Sequence, residues 1–196
     1  MVPGPRQYSD VVEKGPETVI FSTSITKGIW KSTINDGYDG EGVISFRRFP
    51  GAKVRNILGY IPADLADTKP ESVIIQAGGN DLPTPRGNPV PVETIANGIM
   101  QAANMCSSYG VKNVYVAGVL TRKQYYMKER CENLNKILQD QCLLNGFYFI
   151  DNSAIDTQFM YDGVHLNNEG SEMLCDNYLS KLNSVYWDNV LSKIQS

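Results

Sequence analysis

Histidine is nearly absent from this chain of 196 residues: it occurs once, as His165. Cysteine is sparse as well. Its four copies, Cys106, Cys131, Cys142 and Cys175, stand far apart, with no Cys-x-x-Cys pair and no spacing of metal ligands, so no metal is expected. Three of them sit in helix-like stretches beside apolar neighbours, which reads as buried free thiols in a reducing compartment. No apolar run exceeds about five residues, too short to cross a bilayer as a helix. The opening stretch, "MVPGPRQYSDVVEKGPE", has no apolar core of a signal peptide. An intracellular protein, cytosolic or nuclear and not secreted, is therefore expected. A basic excess is missing too. The net charge is −3, which argues against a dedicated nucleic-acid binder. What is present, 42% hydrophobic and 20% charged residues, suits an ordinary globular domain long enough to bury a core.

Five short runs of β-branched or aromatic character punctuate the chain: "TVIFS" (18–22), "GVISF" (42–46), "SVIIQAG" (72–78), "NVYVAGV" (113–119) and "FYFID" (147–151). None alternates strictly, which is how strands covered on both faces look. Between them lie stretches of helical periodicity. Val54, Ile57, Leu58, Ile61 and Leu65 form one set; Ile95, Ile99, Ala102, Ala103 and Cys106 form another. Met127, Cys131, Leu134, Ile137, Leu138 and Cys142 form a third, and Met173, Leu174, Tyr178 and Leu182 a fourth. Strands alternating with helices imply parallel pairing through right-handed crossovers. The expected fold is α/β: a three-layer α/β/α sandwich around a doubly wound, flavodoxin-like, parallel five-stranded sheet. Residues 1–16 read as a flexible arm, 17–183 as the domain, and 184–196 as a short helical tail that docks Trp187.

In such sheets the ligand site lies beyond the carboxyl ends of the strands. Ser22-Thr23-Ser24-Ile25-Thr26-Lys27-Gly28 follows the first strand, "RRFPGAKV" the second, and Gly78-Gly79-Asn80-Asp81 the third; Asp162-Gly163-Val164-His165 comes after the fifth. A serine hydroxyl is a poor nucleophile until a base takes its proton. Imidazole suits that task, and a carboxylate at its other nitrogen fixes the tautomer. Ser24, His165 and Asp162 are the candidates for these three roles. The backbone N–H groups of Ser24 and Gly51 and the Asn80 amide are the candidate oxyanion donors. Ser22 is a rival nucleophile; it ranks below Ser24, whose register with Gly28 sets it at the start of a helix.

These blocks resemble the SGNH hydrolases, also called GDSL-type esterases and lipases, over roughly residues 17–183. The motif Gly-Asp-Ser-Ile/Leu-x-x-Gly aligns with "STSITKG", placing Ser24 as nucleophile. The second block's glycine falls on Gly51, Gly-x-Asn-Asp on Gly78, Asn80 and Asp81, and Asp-x-x-His on Asp162 and His165. The resemblance implies the three-layer fold, no cofactor, and hydrolysis of an ester on a lipid, acetylated sugar or similar substrate. The wording of "STSITKGI", "SFRRFPGAKV", "VIIQAGGNDLP" and "DGVHLN" is most similar to esterase domains in the first open reading frame of LINE-type retrotransposons. That narrower resemblance implies action near membranes or lipids and a longer parent protein. One departure stands out: Ser22-Thr23 replaces the family's Gly-Asp, which removes a charge beside the nucleophile.

Lys27, Lys31, Arg47, Arg48, Lys53 and Arg55 flank the candidate site. They read as a solvated face, as a patch for anionic headgroups in which Arg47 and Arg48 position substrate, or as an RNA-binding surface on a degenerate hydrolase fold. Tyr125 and Tyr126 line an acyl groove or are plain surface aromatics. The proline-rich loop 80–91 is a wall of the site or a rigid connector. A carbohydrate O-acetylesterase would share the same machinery. Partners are expected to be a small ester or lipid, with peripheral membrane contact open, nucleic acid disfavoured for this domain alone, and oligomeric state unassigned.

Overall fold

The structure is a computed structural model that describes residues 17–83, 89–123 and 125–195. Five strands form one parallel sheet: β1 (Glu17–Ser22), β2 (Val43–Arg48), β3 (Ser72–Gln76), β4 (Asn113–Ala117) and β5 (Tyr148–Ile150). Their order is β2-β1-β3-β4-β5. This is the flavodoxin-like order, whose switch point falls between β1 and β3. Among the described residues five α-helices accompany the sheet: α1 (Lys31–Asp36), α2 (Val54–Thr68), α3 (Val92–Ser108), α4 (Tyr125–Asn145) and α5 (Asn168–Ile194).

The uniformly apolar strands are explained by a core on each face. Val19, Phe21, Val73, Ile75, Val114 and Val116 point to one side, where α2, α3 and α4 cover them. Ile20, Ile44, Ile74, Tyr115, Ala117 and Ile150 point to the other, under α1 and α5. Successive residues of a strand alternate faces, so a strand buried on both sides must be apolar throughout. All four cysteines are buried and free. Burial pushes the Cys106, Cys131 and Cys142 thiols up to about 12 and Cys175 to about 11, so none offers a thiolate nucleophile.

Two expectations change. The tail is not a separate short helix: α5 runs without a break from Asn168 to Ile194, straight through the boundary expected at 183/184. Trp187 is half exposed, and its ring N–H donates to Asp39 rather than entering a core. The segment after β1 also differs. Ser24 opens only a single 3-10 turn, Ser24–Thr26, and the helix proper begins at Lys31. A turn this short offers separate backbone N–H groups but no macrodipole.

Candidate active site

The carboxyl ends of β1, β2 and β3 build one half of the site. Ser22 is fully buried, and its hydroxyl is paired with that of Thr26 at 2.7 Å. That pairing removes Ser22 as a rival nucleophile and leaves Ser24, two residues on, half-buried. Gly28 lets α5 approach: a Cβ there would lie 2.1 Å from the Ser171 hydroxyl oxygen. Gly51, with φ +74°, occupies the left-handed region that glycine adopts freely. Gly78, with φ +98°, does the same after β3.

The pair that follows Gly79 ties these loops together. Asn80 donates through Nδ2 to the Ala52 carbonyl at 2.9 Å. The Asp81 carboxylate accepts from the Val54 N–H at 3.1 Å, an N-terminal cap for α2 supplied from a distant loop. Burial raises the Asp81 pKa, with the Val54 bond opposing it. Together the two residues pin the stretch Ala52–Val54 that follows the Gly51 turn. Neither the Ser24 nor the Gly51 backbone N–H has a hydrogen-bond acceptor among the described residues.

The other half is a compact loop between β5 and α5. Met160 and Leu166 pair as a small antiparallel bridge, and the Tyr161 N–H donates to the His165 carbonyl at 3.0 Å. Inside it, Asp162 Oδ1 accepts from the N–H of Val164 (2.9 Å) and of His165 (2.7 Å). Gly163, with φ +81°, makes the turn. Asp162 Oδ2 lies 2.6 Å from His165 Nδ1, and His165 Nε2 lies 3.2 Å from Ser24 Oγ. The bond to the His165 ring, then the backbone N–H groups, hold the Asp162 pKa down at about 2. Asp162 is thus ionised at every working pH. With the Nδ1 proton directed at it, Nε2 is the acceptor facing the serine hydroxyl. Tyr161, largely exposed, lies nearly parallel to the imidazole with centroids 5.9 Å apart.

The structure therefore brings Ser24, Asp162 and His165 into one hydrogen-bonded line, with Gly51 and Asn80 on neighbouring loops. It takes Arg47 elsewhere and sets exposed Arg48 against the loop that follows Ser24. Arg47, expected to contact substrate, is bound to Asp64 at 2.5 Å and to Glu17 at 3.7 Å. Arg48 lies 4.0 Å above the Phe46 ring and donates to the Ile29 carbonyl at 2.7 Å and to Thr26 Oγ1 at 3.3 Å, so it braces the nucleophile loop from behind. Lys27, Lys31, Lys53 and Arg55 are exposed. Tyr125 and Tyr126 start α4, and their side chains lie outside the described residues, as do residues 84–88 of the proline-rich loop.

One residue was missed. Arg122, on the loop after β4, donates to Asn80 Oδ1 at 2.8 Å. The signal was its position, just past the carboxyl end of a strand. Beside Ser24 lies a cleft lined by Thr23, Ile25, Gly79, Arg122, Met160 and Val164, with a volume of about 20 Å³. That is room for about one water molecule. A larger hollow of about 760 Å³ runs along the outer edge of β5 between α4 and α5 and holds none of these residues. Among the described residues no cluster of His, Cys, Asp and Glu could hold a metal ion.

A hydroxyl, an imidazole and a carboxylate in hydrogen-bonded line at the switch point of a parallel sheet are the arrangement of α/β/α hydrolytic enzymes. The chain belongs to the GDSL-like lipase/acylhydrolase family, whose sequence profile matches residues 24–173, and is a carboxylic ester hydrolase by that membership. The fold is shared with a GDSL-like lipase of Bacteroides thetaiotaomicron (TM-score 0.69, 20% identity, covering 86% of this chain and 88% of that one). It is also shared with a lipase/acylhydrolase of Enterococcus faecalis (TM-score 0.72, 20% identity, 86% and 96% covered). A catalytic mutant of an acetylxylan esterase from Geobacillus stearothermophilus is similar as well (TM-score 0.71, 15% identity, 86% and 94% covered). A sequence search among curated proteins finds no match.

Proposed function

We propose that this protein is a serine esterase that cleaves small carboxylic esters through an acyl-enzyme. The observation that carries the proposal is the unbroken line Ser24 Oγ–His165 Nε2 (3.2 Å) and His165 Nδ1–Asp162 Oδ2 (2.6 Å). Ser24 Oγ attacks the ester carbonyl as its proton passes to Nε2. The tetrahedral oxyanion is met by the N–H groups of Ser24 and Gly51 and by the Asn80 amide. His165 returns the proton to the departing alcohol, leaving the acyl group on Ser24. Water, deprotonated by the same nitrogen, then frees the acid. Nε2 must be unprotonated to accept the serine proton.

The cleft that adjoins Thr23 and Ile25, on either side of Ser24, has no room for a long chain, which favours a short acyl group, acetyl before long chains, and an O-acetyl ester rather than a lipid. The acetylxylan esterase among its structural neighbours is consistent with that preference. With Arg47 held by Asp64 and Glu17, a headgroup patch would fall to exposed Lys27, Lys31, Lys53 and Arg55, with exposed Arg48 at its edge. Among the described residues no helix is long and apolar enough to cross a membrane. The retrotransposon placement rests on the wording of four short stretches; a reverse-transcriptase frame beside the coding sequence would support it, and a solitary gene would oppose it.

The test is turnover of p-nitrophenyl esters from acetyl to dodecanoyl. Acetate should be the best substrate, and Ser24→Ala should abolish hydrolysis. An unchanged rate in Ser24→Ala would refute the proposal. RNA binding that falls steeply with added salt, without turnover, would favour a binding module instead.

A further inference from the structure

We propose that Arg122 is a positioning residue that sets the orientation of the Asn80 amide, and through it the oxyanion site. The two ends of an asparagine amide are nearly equal in size, so its partners decide which end faces where. Here Nδ2 donates one N–H to the Ala52 carbonyl at 2.9 Å, and Oδ1 accepts from the Arg122 guanidinium at 2.8 Å. This leaves the second Nδ2 proton for a developing oxyanion. Turned over, the amide would set Oδ1 against the Ala52 carbonyl oxygen and its NH₂ against a guanidinium. Both contacts are repulsive. The cation also polarises the amide, which makes its free N–H a stronger donor.

The Arg122 segment is anchored on both sides. Val119 exchanges two hydrogen bonds with the Asn135 side chain, at 2.7 and 2.8 Å. The Lys123 N–H donates to the Gly163 carbonyl at 3.2 Å. Arg122 thus sits on a strap that touches the donor loop through Asn80 and the acid–base loop through Gly163. Gly79 leaves space for it, since a Cβ there would lie 3.3 Å from an Arg122 terminal nitrogen. Half-burial lowers the Arg122 pKa, and the Asp162 charge opposes that shift. Among the described residues no carboxylate forms a salt bridge with Arg122.

The effect on rate rests on the esterase reading; the effect on the amide does not, and the experiment reads both. In p-nitrophenyl acetate hydrolysis, Arg122→Ala should lower kcat about 30-fold with KM changed less than threefold. Arg122→Lys should recover part of the loss. In an Asn80→Ala background, Arg122→Ala should cost less than twofold more, because its target is gone. Independently, the Asn80 Nδ2 proton resonances should move in Arg122→Ala and in Arg122→Gln, with matched thermal melts showing that the domain is folded. Unmoved resonances, or an undiminished loss in the Asn80→Ala background, would overturn the assignment. Moved resonances in a wild-type chain that hydrolyses no ester would keep the positioning role and end the esterase reading.

Discussion

The two halves of the site are built in opposite ways. The nucleophile and its donors are held by partners distant in sequence: Asn80 to Ala52, Asp81 to Val54, Arg48 to Thr26 and Ile29, Gly28 against Ser171. The acid–base loop is held mostly from within, with the Lys123 N–H to the Gly163 carbonyl as its tie to the strap after β4. Asp162 reaches only to residues two and three further on, and the side chains of His165 and Asp162 remain 34% and 41% exposed. The first half therefore shares the stability of the core, whereas the second is a local device laid on top of it. Damage to the loop should cost rate alone; damage to the braces should cost rate and stability together.

The largest break is Asp162→Asn. Its Oδ1 can still accept from Val164 and His165, but an amide then faces Nδ1 and the wrong tautomer is favoured. Hydrolysis should fall on the order of 10³-fold or more, with the melting temperature nearly unchanged. A melting temperature that falls in step with activity would erase the distinction. Asp81→Ala touches no reacting atom, yet it uncaps α2 and loosens the Gly51 turn. Turnover should drop about tenfold and stability by about 1 kcal/mol in a denaturant titration. Gly28→Ala forces a Cβ into Ser171 and should cost roughly 1–3 kcal/mol. The double variant with Ser171→Gly should regain most of it, and a failure to rescue would locate the strain elsewhere. The smallest effect is acid sensitivity. The Asp162 pKa is held at about 2 against an ordinary 3.8, but the carboxylate is exposed and screened by solvent, so its ionised form adds only slightly to stability above about pH 4, within the near-constant melting temperature expected of Asp162→Asn. That contribution is lost as the pH falls toward 2. Thermal melts across this interval should be steeper for the native chain than for Asp162→Asn.

The same contrast explains what could be read from the sequence. Asp162 and His165 stand three apart with a glycine between them, so a short window contained the whole device. The five strands were legible because burial on both faces demands unbroken β-branched and aromatic runs. Arg122 was invisible in its window, "LTRKQYYM", where the tyrosines drew notice, because its partner lies 42 positions away. The engagements of Arg47 and Arg48 were hidden for a related reason. Their charge was plain, but the carboxylates and carbonyls that engage them, Asp64, Glu17 and the oxygen of Ile29, are set by the tertiary fold. The continuity of α5 with the helical tail was missed because its last turns carry exposed Leu191 and Ile194 and give no amphipathic stripe to follow.

The claim beneath all of this is that one serine hydroxyl is activated by one imidazole. Exposure to a fluorophosphonate ester, followed by peptide mass spectrometry, reads that directly. A single adduct on Ser24, absent when His165 is changed to Ala, is the predicted result. An adduct on Ser22 or another side chain, or labelling of Ser24 that persists without the imidazole, would contradict it.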